Sequence, residues 1–344
     1  MPPMSRRAVL ASAAALPLAG ALAAPAPGSY GMVRRRNPAM DDVVALDAVV
    51  EQVGWGFQWT EGPVWVKAGG YLLFSDPRAN AISRWVPNST GTTPFLQPSG
   101  LAGPANPAIR EAGSNGLAID GTGALVMCDS GSRSVAKVDL ASKQKTVLAD
   151  KFEGKRFNSP NDLAIAKSGA IYFTDPPYGL ADLDTSPLKE QAFAGVYRLD
   201  PSGAVSLIDK SLSRPNGIAL SPDEDTLYVT NSDTAQPVLM GYTLGPDGQV
   251  QGAGSVIFNF KPLMTPGTKG NPDGLKVDED GNLFVSGPGG ILILSKDATL
   301  LGVINITGRT TSNCAFGEDG STLFITASDI VTRVRLKTKA ANWA

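Results

Sequence analysis

A repeat of about 50 residues runs from residue 62 almost to the end of the chain, and it restricts the fold more than any other feature. Each copy has a short apolar or alternating run, a Gly/Asp turn, a β-rich run, and then Asp, Asn or Gly. The copies are Gly62-PVWVKAGGYLLFSD, Gly116-LAIDGTGALVMCD, Asp162-LAIAKSGAIYFTD, Gly217-IALSPDEDTLYVTN, Gly274-LKVDEDGNLFVSG and Cys314-AFGEDGSTLFITA. Their starts are spaced 54, 46, 55, 57 and 40 residues apart. Val, Ile, Leu, Tyr and Phe favour strands, and Asp-Gly or Gly-Gly tips favour tight turns, so each copy reads as a hairpin. Further strand-like runs follow, at Ser134-VAKVDL, Gly195-VYRLD and Val331-TRVRL. About four strands per period of about 50 residues is the pattern of a propeller blade. Six copies predict an all-β, six-bladed β-propeller. A TIM barrel would need repeated helical stretches of 10–15 residues, which are absent, and a β-sandwich needs no repeat.

The propeller is expected over residues 45–340, after a linker at 28–44. The run Val331 to Leu336 is expected to complete a shared blade and close the ring, which removes exposed sheet edges.

The residues just before each copy carry the candidate site. They are Glu61-Gly62, Asn115-Gly116, Asn161-Asp162, Asn216-Gly217, Asp273-Gly274 and Asn313-Cys314. Equivalent positions in a propeller point to the same end of the central channel. Glu61, Asn161, Asn216 and Asp273 therefore converge on one axis. Oxygen donors of mixed charge suit a hard cation, and Ca²⁺ best, with Zn²⁺, Mg²⁺ or Mn²⁺ as alternatives. Glycine after the polar residue lets the backbone crowd the channel, and Pro160, Pro215 and Pro272 before it stiffen the approach. Asn and Asp before Gly are also ordinary turn formers, but a Glu in the same register has no turn role. Asp120, Asp223, Asp278, Asp280 and Asp319 fall at hairpin tips and are expected to face solvent.

No histidine occurs in the 344 residues. That excludes Ser-His-Asp and Cys-His catalysis, HExxH zinc sites and facial triads containing His. A ring of Glu, Asn, Asn and Asp needs no imidazole. The two cysteines, Cys128 and Cys314, are too few for a thiolate zinc site. Both sit in apolar runs and read as buried thiols, with a disulfide permitted in an oxidising compartment. With 30 basic and 32 acidic residues the net charge is -2, which argues against nucleic acid as a partner. The one basic cluster, Arg34-Arg35-Arg36, reads as a solvated part of the linker.

Residues 1–27 read as an export signal. Ser5-Arg6-Arg7 precedes an Ala/Leu-rich run from Ala8 to Ala24, with small residues at two cleavage frames. The pairing of a twin arginine with a weakly apolar core resembles a bacterial twin-arginine signal. The expected location is periplasmic or secreted, with transient engagement of the export machinery. No other window approaches 18 apolar residues, so no later membrane span is expected.

The motifs Glu61-GPVW, Phe74-SD, Arg156-FNSPND, Tyr172-FTDPPYG, Arg214-PNGIALSPDEDTLYVTNSD, Asn271-PDGLKVDEDGNLFVSGPGG and Ser312-NCAFGEDG occur in order over residues 50 to 335. Together they resemble the gluconolactonase branch of the senescence marker protein (regucalcin) and gluconolactonase family. The resemblance implies a six-bladed propeller with a divalent metal, usually calcium, in its channel, and hydrolysis of a sugar lactone such as glucono-1,5-lactone. It further implies that Glu61, Asn216 and Asp273 are metal ligands and that Asp273 doubles as catalytic acid/base. Asn161 is implied to ligate metal or meet substrate, and Asp162 to serve the substrate or support the ligands. Asn115, Arg156, Asn158 and Tyr178 are assigned to substrate binding. Relatives often carry His where this chain has Ser130, which puts the substrate preference in question. A broader lactone, ester or organophosphate hydrolase, and a non-enzymatic calcium-stabilised binding module, remain alternatives.

Overall fold

Each repeat folds into an antiparallel blade, and six blades form the ring. The computed structural model describes residues 28–343; the expected export signal at 1–27 lies outside them. Blade 1 consists of Glu61–Val66, Tyr71–Asp76, Ala81–Trp85 and Thr92–Leu96, in that order from the axis outward. Blades 2, 3 and 4 begin with the inner strands Leu117–Ile119, Leu163–Ile165 and Pro215–Leu220 and have the same four-stranded order. The inner strands of blades 5 and 6 are Leu275–Val277 and Thr311–Gly317.

The second strands, such as Leu125–Asp129 and Ile171–Asp175, are buried along their whole length. Both of their faces pack against neighbouring blades, so they read as unbroken apolar runs. Apolar clusters fill the spaces between blades. Trp65 of blade 1 stacks on Phe324 of blade 6 with centroids 5.5 Å apart. Phe157, Phe173 and Tyr197 form another cluster beside blade 3.

Ring closure departs from the expectation in one respect. The C-terminal strand Ile330–Arg335 is the third strand of blade 6, and the outer strand is the N-terminal Val50–Trp55, paired from Val50↔Val334 to Trp55↔Ile330. The shared blade thus joins both ends of the described chain.

Residues 28–44, expected as a linker, are built into the fold. Gly31–Arg35 pairs with Leu300–Ile306 and gives blade 5 a fifth strand. The short helix Met40–Val43 follows, and Val33, Met40, Val43 and Val44 enter the core between blades 5 and 6. The arginine triplet accordingly lies on and just after a strand, and Arg35 pairs with Asp41 at 2.7 Å. Alternation of Val33 and Arg34 across the strand was the available signal.

The hairpin tips are corrected at Asp278. This carboxylate is fully buried because the C-terminal segment folds over it, with the Glu279 N–H donating to the Lys339 carbonyl. Cys128 and Cys314 are both buried and free. Among the described residues no helix is long and apolar enough to cross a membrane.

Candidate active site

The inner strands start at one end of the channel, so the polar residues at or just before their first residues project there. The backbones are tied across blades. Gly116 N–H donates to the Asn161 carbonyl at 2.7 Å, and Gly274 N–H to the Ser312 carbonyl at 2.8 Å. Hydroxyls on the second strands add a second tie. Thr174 Oγ1 donates to the Asn216 carbonyl at 2.6 Å, and Thr230 Oγ1 to the Asp273 carbonyl at 2.9 Å. These two second-strand threonines thereby fix the polar residue of the next blade. Glycine is required by this crowding at position 217, where an added Cβ would overlap the Asp273 carbonyl oxygen.

These contacts frame a cavity of about 360 Å³. Glu61, Asn115, Asn161, Asn216, Asp273 and Tyr178 line it, so the structure brings together six of the side chains singled out from sequence. Glu61 is buried. Its Oε1 accepts the Trp59 indole N–H at 3.3 Å and its Oε2 the Gly62 N–H at 3.2 Å. Burial, and then the charge of Asp162, push its carboxyl up to about 8. Burial also lifts Asp273 well above the usual carboxylate range, with the charges of Glu61 and Asp162 acting in the same direction. Asn216 donates its Nδ2 to Ser232 Oγ at 2.9 Å, which turns its carbonyl oxygen away from that contact. Ser232 in turn donates to the Pro272 carbonyl, next to Asp273.

This donor set fits a hard cation. Two carboxylates disfavour one another in a buried cavity, and the Asn216 amide is held with its oxygen unpartnered among the described residues. Among those residues no group of three or more His, Cys, Asp or Glu could hold a metal. The carboxamides are what complete an oxygen-rich set here, as suits calcium better than softer metals.

Three sequence-assigned substrate residues lie elsewhere. Asp162 sits off the cavity wall, held by the Asn313 Nδ2–H at 3.2 Å and the Leu163 N–H at 2.9 Å. It acts on the site through its charge. Asn158 is fully buried, and its Nδ2 donates to the carbonyls of Asp175 at 2.9 Å and Phe193 at 2.8 Å. With Ser159, whose Oγ accepts the Gly179 N–H at 2.8 Å, it braces the Pro177–Gly179 turn that carries Tyr178. Arg156 is part of a two-stranded outer ribbon and donates to the Ser132 carbonyl at 2.5 Å. Each motif encodes a real contact, but the contact shapes a loop. Ser130 is buried and donates to the Pro160 carbonyl at 2.6 Å, beside Asn161.

The cavity also has walls that the repeat did not signal: Trp59, Arg78, Arg110, Glu111 and Ser232. Arg78, Arg110 and Glu111 come from loops between copies, where no register exists. Ser232 stood within a quoted motif, directly after Asn231, whereas Trp59 lies two residues before the motif that begins at Glu61. Burial pushes the Tyr178 hydroxyl up to about 12, so it remains a neutral donor.

Comparison with known proteins agrees with this geometry. A family model described as the SMP-30/Gluconolactonase/LRE-like region matches residues 59–329. A gluconolactonase of Zymomonas mobilis subsp. mobilis is 47% identical over 97% of this chain and 98% of its own. The solved structure of a gluconolactonase from Xanthomonas campestris superposes with a TM-score of 0.76 and 32% identity, covering 92% of this chain and 98% of that one. Regucalcin from Agrobacterium tumefaciens, a calcium-binding protein, shares the fold at a TM-score of 0.65 and 18% identity, over 84% of this chain and 96% of that one.

Proposed function

The chain belongs to the SMP-30/Gluconolactonase/LRE-like family, and on that premise we propose that it hydrolyses the ring ester of a sugar lactone, glucono-1,5-lactone being the reference substrate. The observation that carries this reading is the convergence of Glu61, Asn161, Asn216 and Asp273 on one cavity with Tyr178 and Asn115 beside them. Those four side chains would hold a calcium ion. When bound, the ion supplies Lewis-acid polarisation of the lactone carbonyl.

The chain's own groups supply the rest. Asp273 is placed to take a proton from the attacking water and to return it to the ring oxygen as the C–O bond breaks. Burial lifts this carboxyl in the metal-free protein, and a bound cation would favour its ionised, proton-accepting form. Tyr178 and Asn115 offer a hydroxyl and a carboxamide to the substrate's hydroxyls. The Trp59 indole N–H orients Glu61 by donating to its Oε1 at 3.3 Å.

Ser130, the position that suggested a broader hydrolase, is occupied in holding Pro160 and does not line the cavity. The narrower lactonase reading is therefore preferred.

The test is lactone hydrolysis followed by acid release, with and without chelator. We expect chelation to abolish turnover, calcium to restore it, and Asp273→Asn to lower kcat/KM by about 10³-fold with calcium saturating. Unchanged turnover in that variant would remove Asp273 from the chemistry.

Export is part of the same proposal. The Arg6-Arg7 leader would deliver the folded enzyme to the periplasm. Fractionation of a bacterial host should find the wild type outside the cytoplasm and the Arg6→Lys, Arg7→Lys double variant within it. Equal distribution of the two would refute the leader reading.

A further inference from the structure

Two guanidinium groups line the same cavity as the candidate ligands, and neither is used by the reaction above. Arg78 lies over the Trp59 indole at 5.2 Å from its centroid, and Arg110 over the Tyr178 ring at 6.0 Å. Stacking holds a planar guanidinium against an aromatic face and leaves its N–H edge free to form a bidentate pair. Arg110 gives one N–H to Glu111 at 3.1 Å. Arg78 makes no hydrogen bond and no ion pair among the described residues; it lies against the Trp59 ring and in the field of Glu111.

The charge balance of this wall follows directly. Glu111 is a buried carboxyl in the field of both arginines, and burial raises it above the usual range. In this part of the wall two guanidiniums stand against the one carboxyl of Glu111, while Glu61 and Asp273 belong to the candidate cation set. Trp59 is itself anchored, because its N–H reaches Glu61 Oε1 at 3.3 Å. The shelf beneath Arg78 is thus fixed to the ring of candidate ligands, and the distance between the two is set by the fold.

A neutral aldonolactone presents only hydroxyls at the end away from its ester. A hydroxyl oxygen accepts a single N–H from Arg78 but offers neither an opposite charge nor a bidentate fork. A lactone with a carboxylate or phosphate at that end would make two charge-assisted hydrogen bonds to it. Resting on the lactonase reading, we propose that the cavity selects lactones that carry a second, anionic group, and that Arg78, assisted by Arg110, forms the subsite for that group.

The experiment compares kcat/KM of the calcium-loaded protein for three lactones: neutral glucono-1,5-lactone, glucaro-1,4-lactone with a terminal carboxylate, and 6-phosphoglucono-1,5-lactone. The wild type is expected to favour one of the anionic lactones over the neutral one by about tenfold or more. Which one it favours distinguishes carboxylate from phosphate. Arg78→Gln should shrink that ratio by about tenfold, and Arg110→Gln by less, because Arg110 is already shared with Glu111. A wild-type preference for the neutral lactone, or an Arg78→Gln variant that slows all three equally, would overturn the proposal.

Calorimetry with the open-chain anions glucarate and 6-phosphogluconate reads the subsite without turnover. Binding about tenfold weaker to Arg78→Gln supports it, and equal binding refutes it. If no lactone is hydrolysed yet the anions bind through Arg78, the lactonase reading fails and the anion subsite stands.

Discussion

Glu61 shows how one residue couples the metal site to stability. In the folded, metal-free protein its carboxyl keeps its proton up to about pH 8, whereas in the unfolded chain it ionises near its ordinary value of 4.5. Between those values the folded state binds the extra proton. Stability must therefore fall as pH rises through that window. Asp273 shifts in the same direction, from burial first and from the Glu61 and Asp162 charges next. Thermal melts of the chelated protein should show a falling Tm from about pH 4.5 to about pH 8. Calcium should flatten the slope by favouring the ionised pair, and Glu61→Gln should flatten it without metal. A chelated protein that grows more stable over this range would contradict the raised carboxyl.

At the scale of the strand, the informative device is the hydroxyl next to the end of the second strand. Ser232 follows Asn231 and holds both the Pro272 carbonyl and the Asn216 side chain. Ser130 follows Asp129 and holds the Pro160 carbonyl alone. The two serines do the same backbone task two blades apart, but only Ser232 also orients a candidate ligand. Ser232→Ala should weaken calcium binding by about tenfold through loss of that orienting contact. Ser130→Ala should weaken it less. Calorimetric titration of the two variants, both checked for a native melt, decides the matter, and equal losses would show that backbone tethering alone is at work. The threonines of the same strands, Thr174 and Thr230, belong to this device as well. Their hydroxyls were visible in the repeat at the same offset, in FTD and VTN, but a hydroxyl in a strand has no distinctive partner until the next blade is placed beside it.

At the scale of the molecule, closure depends on the N-terminal segment twice. Val50–Trp55 supplies the outer strand of blade 6, and Gly31–Val44 covers the junction of blades 5 and 6. A chain beginning at Val50 keeps the ring but uncovers apolar surface that Val33, Met40, Val43 and Val44 bury. Each fully buried apolar side chain is worth about 1.5–3 kcal/mol before the entropy of ordering the segment is subtracted. The expected result is a cooperative melt with Tm lowered on the order of 10 °C. A chain beginning at Gly56 loses the closing strand and exposes the edge of Ile330–Arg335, and it should show no cooperative melt and should aggregate. Native-like melting of that shorter chain would show that the closing strand is dispensable.

The sequence by itself determined the number of blades, about four strands in each, and the register that brings Glu61, Asn115, Asn161, Asn216 and Asp273 to one cavity. These follow from local pattern: strand period, turn chemistry and a register repeated six times. It determined the absence of imidazole chemistry for the same reason, since composition needs no coordinates. Only the tertiary structure decided which polar motif residues face the cavity. Asn158, Arg156 and Asp162 stand in the same motif as Asn161, yet their side chains meet the Asp175 carbonyl, the Ser132 carbonyl in a turn, and Asn313. It alone placed Arg78, Arg110 and Glu111 on the wall, because loops between repeats carry no periodic signal. It also drew the supposed linker into blade 5. Pairing between strands about 270 residues apart in sequence is a long-range property, fixed by which edges remain open once the ring has formed.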